Sequence, residues 1–182
     1  GAVYAGKERD VSWRPLPELS AVGFVPVGEV TRPLQNSCSY ASTTLVAERA
    51  TDVALWAGAE GAYKVWWNGE LVIEDALYRG AFPDRDVVGV RAQAGANRIL
   101  VKVCSEAAGQ GFYLRATRSD GATLAGVRTV SVDAREPSSY AAARTRLSSI
   151  LRSLESAAER ERAADVFALA RFLARTAADD PA

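Results

Sequence analysis

The chain contains no histidine. That absence removes the commonest general base, every Ser-His-Asp triad, every Cys-His pair and every His-x-x-x-His zinc site from this chain. Cys38 and Cys104 are its two cysteines, too few for an all-cysteine zinc site. They either form one disulfide in an oxidising compartment or stand as small buried hydrophobes in separate strands, and spacing does not choose between the two. Carboxylates remain. Glu70, Glu74, Asp75, Asp84 and Asp86 gather in one short stretch. Glycoside hydrolysis uses two carboxyl groups at a set separation with pKa values pushed apart. Nothing in this run selects a pair. Solvated loop charges are the plainer account, and no enzyme and no catalytic residue are expected.

Aromatic side chains offer a different chemistry. Trp56, Trp66, Tyr78, Phe82 and Tyr113 have faces on which a sugar ring can stack, and Arg79, Asp84 and Arg85 are candidate polar partners at such a site. The candidate ligand-binding set is therefore Trp66, Tyr78, Arg79, Asp84 and Arg85. The opposing account has Trp66 shielded under a loop or helix, and Asp84 paired with an arginine merely to hold its loop.

These residues hang on one hairpin. Asn68-Gly69 separates two β-prone runs, Tyr63–Trp67 and Leu71–Ile73. A two-residue type I′ loop needs positive φ at both positions, which Asn tolerates and Gly accepts without steric cost. Side chains alternate along a strand, so Tyr63, Val65 and Trp67 share one face and Lys64 and Trp66 the other. Lysine prefers water, which points the first set inward and Trp66 outward.

Further strands are predicted over 38–47, 52–57, 86–93, 98–105 and 112–117, with a last short one at 122–124 and turns between them. Residues 1–36 are punctuated by Pro15, Pro17, Pro26 and Pro33 and read as an irregular wrap, with a short edge strand at 23–27. Residues 74–86 read as a loop rich in turn residues. Repeated short strands of this kind indicate an antiparallel sandwich or barrel. The pattern changes after Gly126. Residues 127–138 read as a linker, and Ser138 or Ser139 can cap a helix from Tyr140. Leu147, Ile150, Leu151 and Leu154 then recur at helical spacing, and Val166, Ala170, Leu173 and Ala177 line a second helix over 158–177. The predicted organisation is mainly β over 1–126, then a linker and two amphipathic helices over 127–182, possible as the start of a helical repeat.

Bulk composition narrows the partners. Lys and Arg total 22, as do Asp and Glu, so no electrostatic case exists for nucleic acid or an anionic membrane. No apolar run approaches the ~20 residues that span a bilayer. The start Gly1-Ala2-Val3-Tyr4 has no signal-peptide pattern.

Val65-Trp66-Trp67-Asn68-Gly69, Pro83-Asp84, Gly95-Ala96-Asn97-Arg98-Ile99-Leu100-Val101-Lys102-Val103, Phe112-Tyr113-Leu114-Arg115 and Asp120-Gly121 follow one another in an order that resembles the galactose-binding-like jelly roll. The sugar-binding domain of family-2 glycoside hydrolases is similar, as are modules fused to tetratricopeptide-repeat regions in bacterial envelope proteins. The resemblance implies an antiparallel jelly-roll β-sandwich that binds rather than reacts. It implies other protein domains or subunits as partners, with a cell-envelope or extracellular glycan as the alternative ligand. It also implies a periplasmic or secreted location. Jelly rolls of this type often carry structural Ca2+ bound by loop oxygens; without an Asp-x-Asp-x-Asp-Gly run the expectation here is no cofactor and no metal.

Overall fold

The computed structural model describes residues 2–16, 23–32, 35–106, 109–130 and 170. Within them the chain forms eleven strands. β1 (Val3–Tyr4) and β2 (Val11–Ser12) make a small separate ribbon. β3 (Phe24–Val25) runs into a 3-10 turn at Val27–Glu29. The long strands are β4 (Ser37–Ala47), β5 (Thr51–Ala59), β6 (Ala62–Trp67), β7 (Glu70–Asp75), β8 (Asp86–Ala92), β9 (Gly95–Ser105) and β10 (Phe112–Thr117). β11 (Val127–Val130) closes the set.

Two antiparallel sheets face each other. One has the order β3-β10-β5-β8, the other β11-β4-β9-β6-β7. Period-2 alternation sends Val53, Leu55 and Ala57 of the first sheet and Tyr63, Val65, Trp67, Ile99, Val101 and Val103 of the second into one shared apolar core. Full burial of a side chain of this size contributes about 2 kcal/mol before the entropy of ordering it. Trp67 also reaches across the core, its indole N–H donating to Arg91 O at 3.2 Å.

The hairpin forms as its sequence predicts. Asn68 has φ 49° and Gly69 φ 86°, the left-handed conformations that a two-residue turn requires. Tyr63, Val65 and Trp67 are buried, and Trp66 lies on the opposite face, part-exposed.

Two expectations change. Residues 122–124 form no strand; β11 takes that role over Val127–Val130, inside the stretch read as linker, because it pairs with β4 from Ala47 to Thr44. The N-terminal wrap contains the β1-β2 ribbon. β5 is buried on both faces over 53–59, because the loop after β7 covers its outer side at Gly58 and Arg115 covers it at Trp56. Of the two alternatives left open for the cysteines, the disulfide is the one formed: Cys38 and Cys104 sit directly opposite on β4 and β9, and Cys38 is exposed rather than a core hydrophobe. Both predicted helices lie outside the described residues, apart from Ala170, which is helical and exposed.

Candidate functional site

Residues 76–85 join the end of β7 to the start of β8, and so one sheet to the other. A loop in that place needs anchors, and buried charges supply them. Asp75, the last residue of β7, accepts from Leu77 N at 2.9 Å, from Arg79 Nη2 at 2.9 Å and from Arg85 Nη2 at 3.1 Å. Arg85 also donates to Gly80 O at 2.9 Å and Ala59 O at 3.4 Å, clamping the loop onto the end of β5. Its Nε is buried 3.7 Å from Asp86 Oδ2, an ion pair without a hydrogen bond. Asp86 in turn accepts from the Tyr63 hydroxyl, which ties the two sheets together at this end. Burial, and after it the charge of Asp86, pushes the Tyr63 phenol far above its ordinary range.

The second anchor lies on the outer face of the four-stranded sheet. Asp84 is buried at φ 58°, a conformation Asp adopts more readily than most residues. Its carboxylate takes a bidentate grip from Arg115, with Nε at 2.5 Å and Nη2 at 2.6 Å. The Arg115 guanidinium lies 4.9 Å from the centre of the Trp56 ring, whose N–H donates to Thr117 Oγ1 at 2.8 Å. Close by, the loop backbone presses on β5 so tightly that a Cβ on Gly58 would meet Phe82 O at 1.9 Å.

The loop is thus held at both ends and in the middle. Yet it presents its largest apolar side chains to water: Leu77 is 58 % exposed, Tyr78 53 % and Phe82 65 %. Such groups contribute nothing to the core.

The five candidate residues therefore separate. Tyr78 and Arg79 stand on the loop surface, while Arg85 and Asp84 are its buried fasteners. Asp84 does pair with an arginine to hold the loop, through Arg115 on β10 rather than a sequence neighbour. Trp66 belongs elsewhere, on the outer face of the five-stranded sheet. Of the other aromatics, Trp56 is only 3 % exposed beneath Arg115 and is closed to a ligand, and Tyr113 packs on Phe24 with ring centres 5.1 Å apart. Leu77 and Arg115 escaped the sequence reading. An apolar Leu-Tyr pair within a turn-rich stretch was the available signal for the first; nothing local signals the second.

Around Trp66 the outer face carries Tyr40, Lys64 and Lys102. The two lysines are directly opposed in register and turn apart, Lys64 to Glu74 at 2.6 Å and Lys102 to a position 5.7 Å from the Tyr40 ring centre. Among the described residues no group of three or more His, Cys, Asp or Glu side chains could hold a metal ion, and no helix is long and apolar enough to cross a membrane.

No family model and no curated protein matches this chain. Among solved structures, the β-glucosidase from Kluyveromyces marxianus in complex with glucose is similar at 16 % identity over 53 % of this chain, with a TM-score of 0.41. The selenomethionine-labelled form of that β-glucosidase is similar at 15 % identity over 75 % of this chain, also at a TM-score of 0.41. The chain spans 13 % and 15 % of the length of those two chains. Below a quarter identity and at that score, these likenesses leave activity and ligand unassigned.

Proposed function

We propose that this chain is a non-catalytic β-sandwich module of the galactose-binding-like jelly-roll type, working as a binding or scaffold unit within a larger bacterial protein. One observation supports this best. Asp75, Asp84 and Asp86 are engaged by Arg79, Arg85, Arg115 and Tyr63, while the loop they hold turns Leu77, Tyr78 and Phe82 outward. Carboxylates committed to loop architecture suit recognition better than proton transfer. The contact residues are Leu77, Tyr78 and Phe82; rigid aromatic anchors of this kind dominate the energetics of protein contacts. The Cys38–Cys104 disulfide favours an oxidising location, such as the cell envelope or the secreted space.

A photoreactive benzoylphenylalanine placed at Tyr78 in the producing cell should give adducts that the same probe at Thr123 does not. Identical adduct patterns at both positions would overturn the loop as a contact surface. Turnover of aryl glycosides by the purified chain would overturn the non-catalytic half.

A second reading has its own support. Tyr40 is half exposed on the face that also bears Trp66, Lys64 and Lys102, an arrangement suited to a glycan lying across the sheet. Calorimetric titration with envelope glycans tests it, and heat lost on Trp66→Ala with Tyr40→Ala would locate the site.

A further inference from the structure

The outer face of the five-stranded sheet carries a charge arrangement that stability does not account for. Lys64 on β6 and Lys102 on β9 are directly opposed in register. Like charges in that position destabilise a sheet. Glu74 on β7 is opposed to Lys64 and pairs with it at 2.6 Å. Lys102 has no carboxylate partner among the described residues; it turns instead to the half-exposed ring of Tyr40, opposed to it on β4. Arg98, four residues before Lys102 on the same face, also lacks a carboxylate among the described residues, its Nε donating to Ser42 Oγ at 3.4 Å. Two cations therefore stand unmatched on one face of a chain whose formal net charge is zero.

Register fixes how these groups are spread. Leu100, part-exposed, lies between Arg98 and Lys102 on β9, which sets the two cations about 13 Å apart along the strand. Trp66, also part-exposed, is opposed to Leu100 on β6, whereas Tyr40 is opposed to Lys102 on β4. The two rings are thus separated by two strand spacings and one pair of residues, about 12 Å. One sugar unit is too small to meet both rings and both cations; an extended chain is not. The cations are also single and spaced rather than clustered, which suits singly charged groups set along a chain. Ring faces take the apolar faces of pyranose units, while a lysine ammonium and an arginine fork take carboxylates. The complementary occupant is therefore a chain of sugars that bears acid groups.

We propose that this face binds an extended acidic glycan of the polyuronate class, with Lys102 and Arg98 on its carboxylates and Tyr40 and Trp66 against its rings. This rests on the glycan reading of the same face and supplies the ligand's charge. The test is calorimetric titration of the full chain with oligogalacturonate, with its methyl ester (the same rings without the charge) and polyglutamate as controls. The acid should bind about tenfold more tightly than the ester, by an advantage that shrinks as salt is added, and polyglutamate should give no heat. Lys102→Gln should remove most of that advantage and leave the ester's affinity as it was, whereas Tyr40→Ala should weaken both. Glu74→Gln releases Lys64 from its ion pair and should tighten the acid about threefold with no effect on the ester, a gain that misfolding cannot mimic. An advantage that survives Lys102→Gln overturns the proposal, as does polyglutamate binding as well as the acid, since the face would then read charge alone. Equal affinity for acid and ester overturns it and leaves the glycan reading standing. No heat from either overturns it too, and the glycan reading falls with it only if the envelope glycans are also silent.

Discussion

Asn68 donates from Nδ2 to Asn97 Oδ1 at 3.1 Å, joining the β6-β7 turn to the β8-β9 turn. Asn68 Oδ1 accepts from Arg98 N at 2.7 Å, and Asn97 Nδ2 donates to Gln93 O at 2.9 Å and Gly95 O at 3.1 Å. Asn97 is wholly buried. The Asn-Gly and Gly-x-Asn motifs are thus two halves of one clamp, and their residue types serve architecture rather than a ligand. Replacing Asn97 by Ala strands several buried polar groups at about 1–3 kcal/mol each. We expect Asn97→Ala to lower stability by about 3 kcal/mol or more in urea unfolding, and Asn68→Gly, which keeps the turn conformation, to cost less.

The Tyr63–Asp86 contact makes stability fall at alkaline pH. The folded phenol has its pKa raised by burial first and by Asp86 second, while an unfolded tyrosine titrates near ~10. Its contribution is fully present below that value. Above it the unfolded chain releases a proton that the folded chain keeps, so stability drops as pH rises, by roughly 1.4 kcal/mol per unit. Tyr63→Phe should be less stable at neutral pH by about 1–2 kcal/mol and should lack this share of the alkaline slope. Parallel profiles for both proteins between pH 9 and 11 would contradict the assignment.

Removing Arg115 leaves Asp84 buried and unmatched by its bidentate partner. A fully buried broken pair costs about 3–5 kcal/mol. Because Arg115 is 38 % exposed, about 2 kcal/mol is the better expectation for Arg115→Met. The loop at 76–85 should also lose hydrogen-exchange protection before the sheets do.

Gly58→Ala tests the loop's seat from below. The added Cβ meets a backbone carbonyl, which cannot rotate aside as a long side chain would. We expect a loss of about 1–3 kcal/mol, the usual cost of overpacking, with the loop displaced in a crystal structure of the variant.

The disulfide joins residues 66 apart in sequence, and closing a loop of that size removes about 4 kcal/mol of denatured-state entropy in the chain-entropy account. Cys38→Ser with Cys104→Ser should lose about 3–4 kcal/mol in urea unfolding yet keep its strand register, because the eleven paired positions of β4 and β9 do not depend on the bond. A loss below 1 kcal/mol would show that the reduced chain is already constrained.

What the sequence by itself determined is local. The turn at Asn68-Gly69, the inward set Tyr63, Val65 and Trp67 and the strand over Phe112–Thr117 follow from φ preferences and from alternation, which act between near neighbours. The antiparallel β character of the described region follows from the same signals. Tertiary structure decided the rest, because it depends on residues far apart in the chain. Arg115 meets Asp84 across 31 positions, Cys38 meets Cys104 across 66, and Val127–Val130 becomes a strand only because β4 offers an open edge. Trp56 illustrates the limit. Its alternation places it on the outer face of β5, where it is nonetheless buried, since Arg115, 59 positions later, lies across its ring. Period and propensity report which way a side chain points from its own strand; what arrives to cover it is settled by chain closure over long separations.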